Sequence, residues 1–174
     1  MKDNYRTWIR DIPDFPKKGI LFRDITPLLG NGAVYRDAIA ALATKAKDWE
    51  PELVVGPEAR GYVVGAPLAV TLGLGFVPVR KPGKLPYKTV SVEYALEYGT
   101  DRLEIHEDAI RPGQRVVVAD DLLATGGTMR ATIDLVEKLG GVVVGAAFLI
   151  ELKQLGGRDR LGDIPVYTLV QFED

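Results

Sequence analysis

A chain of 174 residues with 22 lysines and arginines against 24 aspartates and glutamates carries a formal charge of −2, so it lacks the basic excess needed to grip a long nucleic acid. It contains no cysteine, which excludes disulfides and thiolate metal sites. The length suits a single domain over residues 1–174. The opening stretch has no signal-peptide core, and nowhere do ~18 apolar residues run together. A cytoplasmic protein that contacts neither membrane nor nucleic acid is expected.

In chain order, Tyr5, Trp8, Ile9 and Ile12 repeat with helical spacing and predict a short amphipathic helix. From Ile12 to Gly19 the two prolines and the glycine predict an irregular loop. A helix over 33–49 follows, with Ile39, Leu42, Ala43, Ala46 and Trp49 on one face, stopped by Pro51. Leu53 to Val55 reads as a buried strand, and Gly-Pro-Glu-Ala-Arg-Gly leads from it into a helix reaching Leu72, kinked or shortened at Pro67. Phe76 to Val79 is a further strand. The segment after it is rich in Gly, Pro, Lys and Tyr, with only brief β-like alternation, and reads as a β-rich excursion or lid over 82–107. Val116 to Ala119 is a fully apolar strand, and Met129 to Leu139 a helix closed by Gly140 and Gly141. Val142 to Leu152 and Val166 to Phe172 complete the strands. Alternating strands and helices predict an α/β fold with a central, mainly parallel sheet flanked by helices.

The most informative stretch is VVVADDLLATGGT, Val116 to Thr128. Its strand carries Asp120 and Asp121 to the sheet edge where ligands sit in open α/β folds. Ala124, Thr125, Gly126, Gly127 and Thr128 then open a helix, whose unpaired N–H groups suit a phosphate monoester. The paired carboxylates suit two ribose hydroxyls. Neither a Walker loop nor a GxGxxG fingerprint is present.

This stretch resembles the signature of the type I purine/pyrimidine phosphoribosyltransferase family. The resemblance extends through Pro-Asp-Phe-Pro at 13–16, Leu-Phe-Arg-Asp-Ile-Thr-Pro at 21–27, Ala-Arg-Gly at 59–61, Arg-Lys-Pro-Gly-Lys-Leu-Pro at 80–86 and Leu-Glu-Tyr-Gly at 96–99. The 21–27 and 96–99 segments point to the adenine-using members.

The resemblance implies a type I phosphoribosyltransferase-like fold with a small N-terminal hood over about 1–32 and a β-rich lid. It implies purine salvage: adenine and 5-phosphoribosyl 1-pyrophosphate give AMP and pyrophosphate. Ala59, Arg60 and Gly61 would hold the pyrophosphate, with Arg80, Lys81 and Lys84 adding charge. Backbone groups at Leu21 and Arg23 would read the base edge while Phe22 stacks on it. The alternative on the residues alone is that Phe22 is a core side chain and that Arg23 and Asp24 form a structural ion pair. Glu97, on the lid beside Tyr98, would contact the imidazole of the base and ease loss of its proton, so Glu97 and Arg60 are the catalytic candidates. Mg²⁺ would arrive bound to the substrate, without a dedicated protein site. A homodimer is implied. The lone His106 reads as an exposed strand or loop residue. Two rivals stand: a relative using another base, and a silent regulator sensing the activated sugar. The second would need a nucleic-acid-binding segment, for which the chain has no spare stretch.

Overall fold

The computed structural model describes residues 4–96 and 98–173. Five parallel strands form the central sheet: β3 (Leu53–Pro57), β4 (Gly75–Val79), β7 (Arg115–Leu123), β8 (Val142–Leu152) and β9 (Val166–Phe172), in the order β4-β3-β7-β8-β9. The expected mainly parallel sheet is therefore present, and both its faces are covered. Residues alternate between two cores, as period-two strands require. Val54, Val117 and Ala147 face one core, while Val55, Val118 and Phe148 face the other. Phe148 is wholly buried, and its truncation to alanine would cost about 3–5 kcal/mol.

Helices α2 (Gly32–Lys47) and α3 (Tyr62–Leu72) cover the first face, and α4 (Gly127–Lys138) the second. The Asn31 side chain caps α2 by accepting from the Ala33 and Val34 N–H groups, both at 3.1 Å. That places its start one residue before the apolar periodicity does. A one-turn helix, α1 (Thr26–Gly30), precedes it. Pro67 does not end α3. Proline has no N–H for the carbonyl four residues back, and the Tyr35 hydroxyl donates to that carbonyl, Val63 O, instead.

The N-terminal helix expected over Tyr5 to Ile12 is absent. A single 3₁₀ turn spans Tyr5–Trp8, and β1 (Arg10–Pro13) follows, antiparallel to β2 (Leu21–Asp24). Tyr5, Trp8 and Ile9 pack on the first core, whereas Ile12 pairs with Phe22 across the hairpin. Cross-strand ion pairs hold the register: Arg10 to Asp24 at 3.3 Å and Arg23 to Asp11 at 2.5 Å. The Arg23–Asp24 ion pair considered from sequence is thus replaced by two pairs across the hairpin.

The lid segment forms a second hairpin, β5 (Thr89–Ala95) against β6 (Thr100–His106). Its base belongs to the second core, because Leu103 is 1% exposed and Ile105 is fully buried. Moving the segment as one piece would pull both from that core, whereas Leu96 and Tyr98 at its tip are exposed. His106 lies in β6, half-buried, and accepts a hydrogen bond from the Tyr87 N–H.

Candidate functional site

The strand order reverses between β3 and β7: the chain leaves β3 through α3 towards β4, and β7 through α4 towards β8. Crevices at such reversals are where open α/β sheets bind ligands. β7 runs five residues beyond its last pairing with β3 at Val118 and stays paired with β8 to Leu123. Asp120 and Asp121 therefore sit inside a strand, on the stretch that β3 leaves uncovered.

Ala124 to Thr128 turn from β7 into α4 and line a cavity of about 140 Å³ together with Arg60 and Asp120. The first turn of α4 has no side-chain cap and no acidic residue, so its N–H groups are offered to an anion. Gly126 holds φ +80°, and a Cβ there would stand 2.6 Å from the carbonyl oxygen of Gly157. A Cβ on Gly157 would stand 2.2 Å from the carbonyl oxygen of Ala124. The phosphate-loop candidate is thus packed backbone against backbone on the 3₁₀ turn Gly157–Leu161. At Gly127 a Cβ would meet nothing closer than the Arg160 guanidinium at 3.5 Å, so the tightest steric constraint falls on Gly126.

The carboxyl of Asp120 titrates well above its ordinary range because of burial and the neighbouring Asp121 charge. Burial also raises Asp121, an effect partly offset by the Arg60 guanidinium 3.2 Å away. Arg60 lies 5.7 Å from the centre of the Phe22 ring as well. It stands between the carboxylate pair and the hood.

Glu58, also on the β3–α3 connection, gathers the expected cationic cluster. Its carboxylate accepts from Arg80 Nη2 at 3.0 Å and from the Lys81 N–H at 2.6 Å, and lies 3.5 Å from Lys84 Nζ. Burial opposes its ionisation, but these donors more than compensate and hold it below the usual range. The Lys81 ammonium turns aside to Asp101, so of the three cations it points least to this cluster. Arg80 Nε is buried without a hydrogen bond among the described residues.

On the hood, Phe22 belongs to neither core. It meets Phe15 edge-on, ring centres 5.1 Å apart, which fits a platform better than a core side chain. Leu21 is exposed. The Arg23 side chain is buried against the Phe172 ring at 3.9 Å, so it is not the part of Arg23 offered to a base. Ala59 and Gly61 lie on the β3–α3 connection, as expected. Tyr98 is 84% exposed on the lid tip, and Glu97 lies outside the described residues.

The sequence reading missed the turn Gly157–Leu161, whose Gly-Gly step after a strand aimed at the same sheet edge was the available signal. It also missed Glu58, which stands inside a motif already singled out. A larger cavity of about 520 Å³ lies between the lid tip and the phosphate loop, lined by Tyr94, Ala95, Leu96, Thr125, Gly127, Thr128 and Arg160.

The family model for the phosphoribosyl transferase domain matches residues 25–171. An adenine phosphoribosyltransferase of Brevibacillus brevis is 57% identical over 169 residues, covering 97% of this chain and 99% of that one. The crystal structure of adenine phosphoribosyltransferase from Thermoanaerobacter pseudethanolicus has a TM-score of 0.95 at 54% identity, covering 99% of this chain and 100% of that one. The Saccharomyces cerevisiae enzyme, complexed with D-2,5-dideoxy-2,5-imino-altritol 1,6-bisphosphate and adenine, has a TM-score of 0.89 at 39% identity over 97% of both chains.

Proposed function

The chain belongs to the phosphoribosyl transferase family, and on that premise we propose that it transfers the phosphoribosyl group of 5-phosphoribosyl 1-pyrophosphate to adenine, giving AMP and pyrophosphate. One observation carries the reading. Arg60 lies between the Asp120–Asp121 pair and the Phe22 ring, so phosphate loop, ribose acceptors and base platform surround a single point. Adenine as the base is supported by the named relatives, one of them complexed with adenine.

In this reading the N–H groups of residues 124–128 hold the 5′-phosphate, and Asp120 and Asp121 accept from the 2′ and 3′ hydroxyls. Backbone groups at 59–61 with Arg60, Arg80, Lys81 and Lys84 take the pyrophosphate. The bond from C1′ to the pyrophosphate oxygen breaks ahead of attack, leaving positive charge on the ribose ring and the bonding electrons on pyrophosphate. Adenine N9 then bonds C1′, and its proton leaves. Fixed charges and positioning supply most of the acceleration. Glu58 is the resting counter-ion of this pocket: it keeps Arg80 and Lys84 gathered until a stronger polyanion competes for them. Phe22 stacks on the base, and the Leu21 and Arg23 backbones read its edge. A role for Glu97 at the imidazole of the base rests on the family resemblance.

Mg²⁺ enters with the pyrophosphate. Asp120 and Asp121 are carboxylates able to share such an ion with substrate oxygens; among the described residues no three His, Asp or Glu side chains gather as a metal site. A homodimer and a cytoplasmic location belong to the same proposal. The dimer rests on the family resemblance. Incubation of the purified protein with adenine, the activated sugar and Mg²⁺ tests the reaction: AMP and pyrophosphate should form in equal amounts. Absence of AMP would overturn the reading.

A further inference from the structure

We propose that Arg160 is an additional phosphate-binding residue, closing the open side of the loop at 124–128 around the 5′-phosphate. The inference rests on the reaction proposed above and extends it to a residue outside the family signature.

The turn Gly157–Leu161 carries two arginines with opposite fates. Arg158 is committed to structure. Its Nε and Nη2 fork onto Glu151 at 2.9 and 2.5 Å, and its Nη1 donates to the Val166 carbonyl at 3.2 Å. Glu151 also accepts from Thr168 Oγ1 at 3.1 Å and Gln171 Nε2 at 2.9 Å. Leu161, 1% exposed, pins the other end of the turn in the second core. The turn is therefore fixed to the sheet at both ends.

The Arg160 side chain, exposed between these anchors, makes no hydrogen bond or ion pair among the described residues. Its Nη1 lies 3.5 Å from where a Cβ on Gly127 would stand, and it lines the larger cavity with Thr125, Gly127, Thr128 and Tyr94. The first turn of α4 offers it no carboxylate. A guanidinium there faces the positive end of the helix dipole, an unfavourable placement for a cation. A phosphate dianion reverses the sign of that interaction, accepting from the helix N–H groups and from the planar guanidinium fork together. Gly127 keeps the space between them clear. A substituent there would meet Arg160 before any backbone atom.

Calorimetric binding of AMP and of adenosine, which differ only in the phosphate, tests this with wild type, R160Q and R160K. In R160Q, AMP affinity should fall about 10- to 100-fold, the range for a lost charged hydrogen bond. Adenosine affinity and melting temperature should stay unchanged, and R160K should recover part of the loss. Equal AMP affinity in R160Q and wild type would overturn the role of Arg160 while leaving the reaction intact. So would an equal loss of adenosine affinity, the mark of a structural effect. A wild type that prefers adenosine, or neither ligand, would remove the proposed reaction and this inference with it.

Discussion

Gly157→Ala adds one methyl group at a distance from the chemistry, yet it should damage binding more than stability. The new Cβ would fall 2.2 Å from the Ala124 carbonyl oxygen and 3.0 Å from the Gly126 nitrogen, both backbone atoms of the phosphate loop. Real Cβ contacts are essentially never shorter than 3.0 Å, so the gap to Ala124 must open from 2.2 Å by at least 0.8 Å. The turn cannot retreat easily, because Arg158 is forked onto Glu151 and Leu161 is buried. The loop therefore moves, and a misplacement approaching 1 Å is worth on the order of 10²-fold in rate. The strain itself should cost about 1–3 kcal/mol, or roughly 2–4 °C of melting temperature per kcal/mol at this length. Gly156→Ala is the control. That residue sits at φ +63° with only Asp159 Oδ2 near the added methyl, at 3.6 Å. It should lose about 1–2 kcal/mol of stability with near-normal kinetics. The assay is kcat/KM for the activated sugar, with thermal melts of each variant. A stable Gly157→Ala protein with unchanged kcat/KM would refute the idea that the turn positions the loop.

Asp120→Asn should raise the melting temperature at pH 7 while weakening AMP binding. A carboxyl whose folded pKa is raised favours the fold below its unfolded value, 3.8, and loses that contribution as pH rises through the folded value. At neutral pH the raised carboxyl therefore burdens the fold whichever state it holds, and the variant's advantage should vanish in acid. A lower melting temperature at pH 7 would contradict this. Glu151 shows the opposite sign: the Arg158 hydrogen bonds hold it below its ordinary 4.5, so its contribution is present above that value and lost as pH falls through the folded pKa. Glu151→Gln should melt lower at pH 7 by the equivalent of about 1–3 kcal/mol, and its melting temperature should fall less than that of wild type on acidification. Amide exchange around Leu96 and Tyr98 should slow on adding AMP, while Leu103 and Ile105 exchange slowly with or without it; equal exchange at the tip in both states would remove the mobile tip.

The sheet was legible because buried parallel strands are short apolar runs between Gly- and Pro-rich turns. Val142 to Leu152 and Val166 to Phe172 have the same bounds in sequence and structure. The N-terminal segment was misread because Tyr5, Trp8, Ile9 and Ile12 fit helical spacing and equally fit a turn followed by a strand. What decides between them is pairing with Leu21–Asp24, ten residues on, which periodicity does not report. Asp120, Asp121 and residues 124–128 announce themselves because acids and glycines interrupt an apolar strand before a helix. Glu58, Arg158 and Arg160 do not, since a charged residue in a turn has the same local pattern whether it faces solvent or braces a loop from another strand. Their roles follow from the sheet order, which brings β3, β7 and β8 to one edge.

The measurement that bears most directly on the central claim is kcat/KM for adenine, hypoxanthine and guanine with the activated sugar and Mg²⁺. A site whose backbone groups match adenine's edge leaves polar groups unpaired against the other two bases, which is worth ~10⁴ or more in discrimination. Adenine should exceed both by that order. Comparable kcat/KM for adenine and guanine would contradict the account.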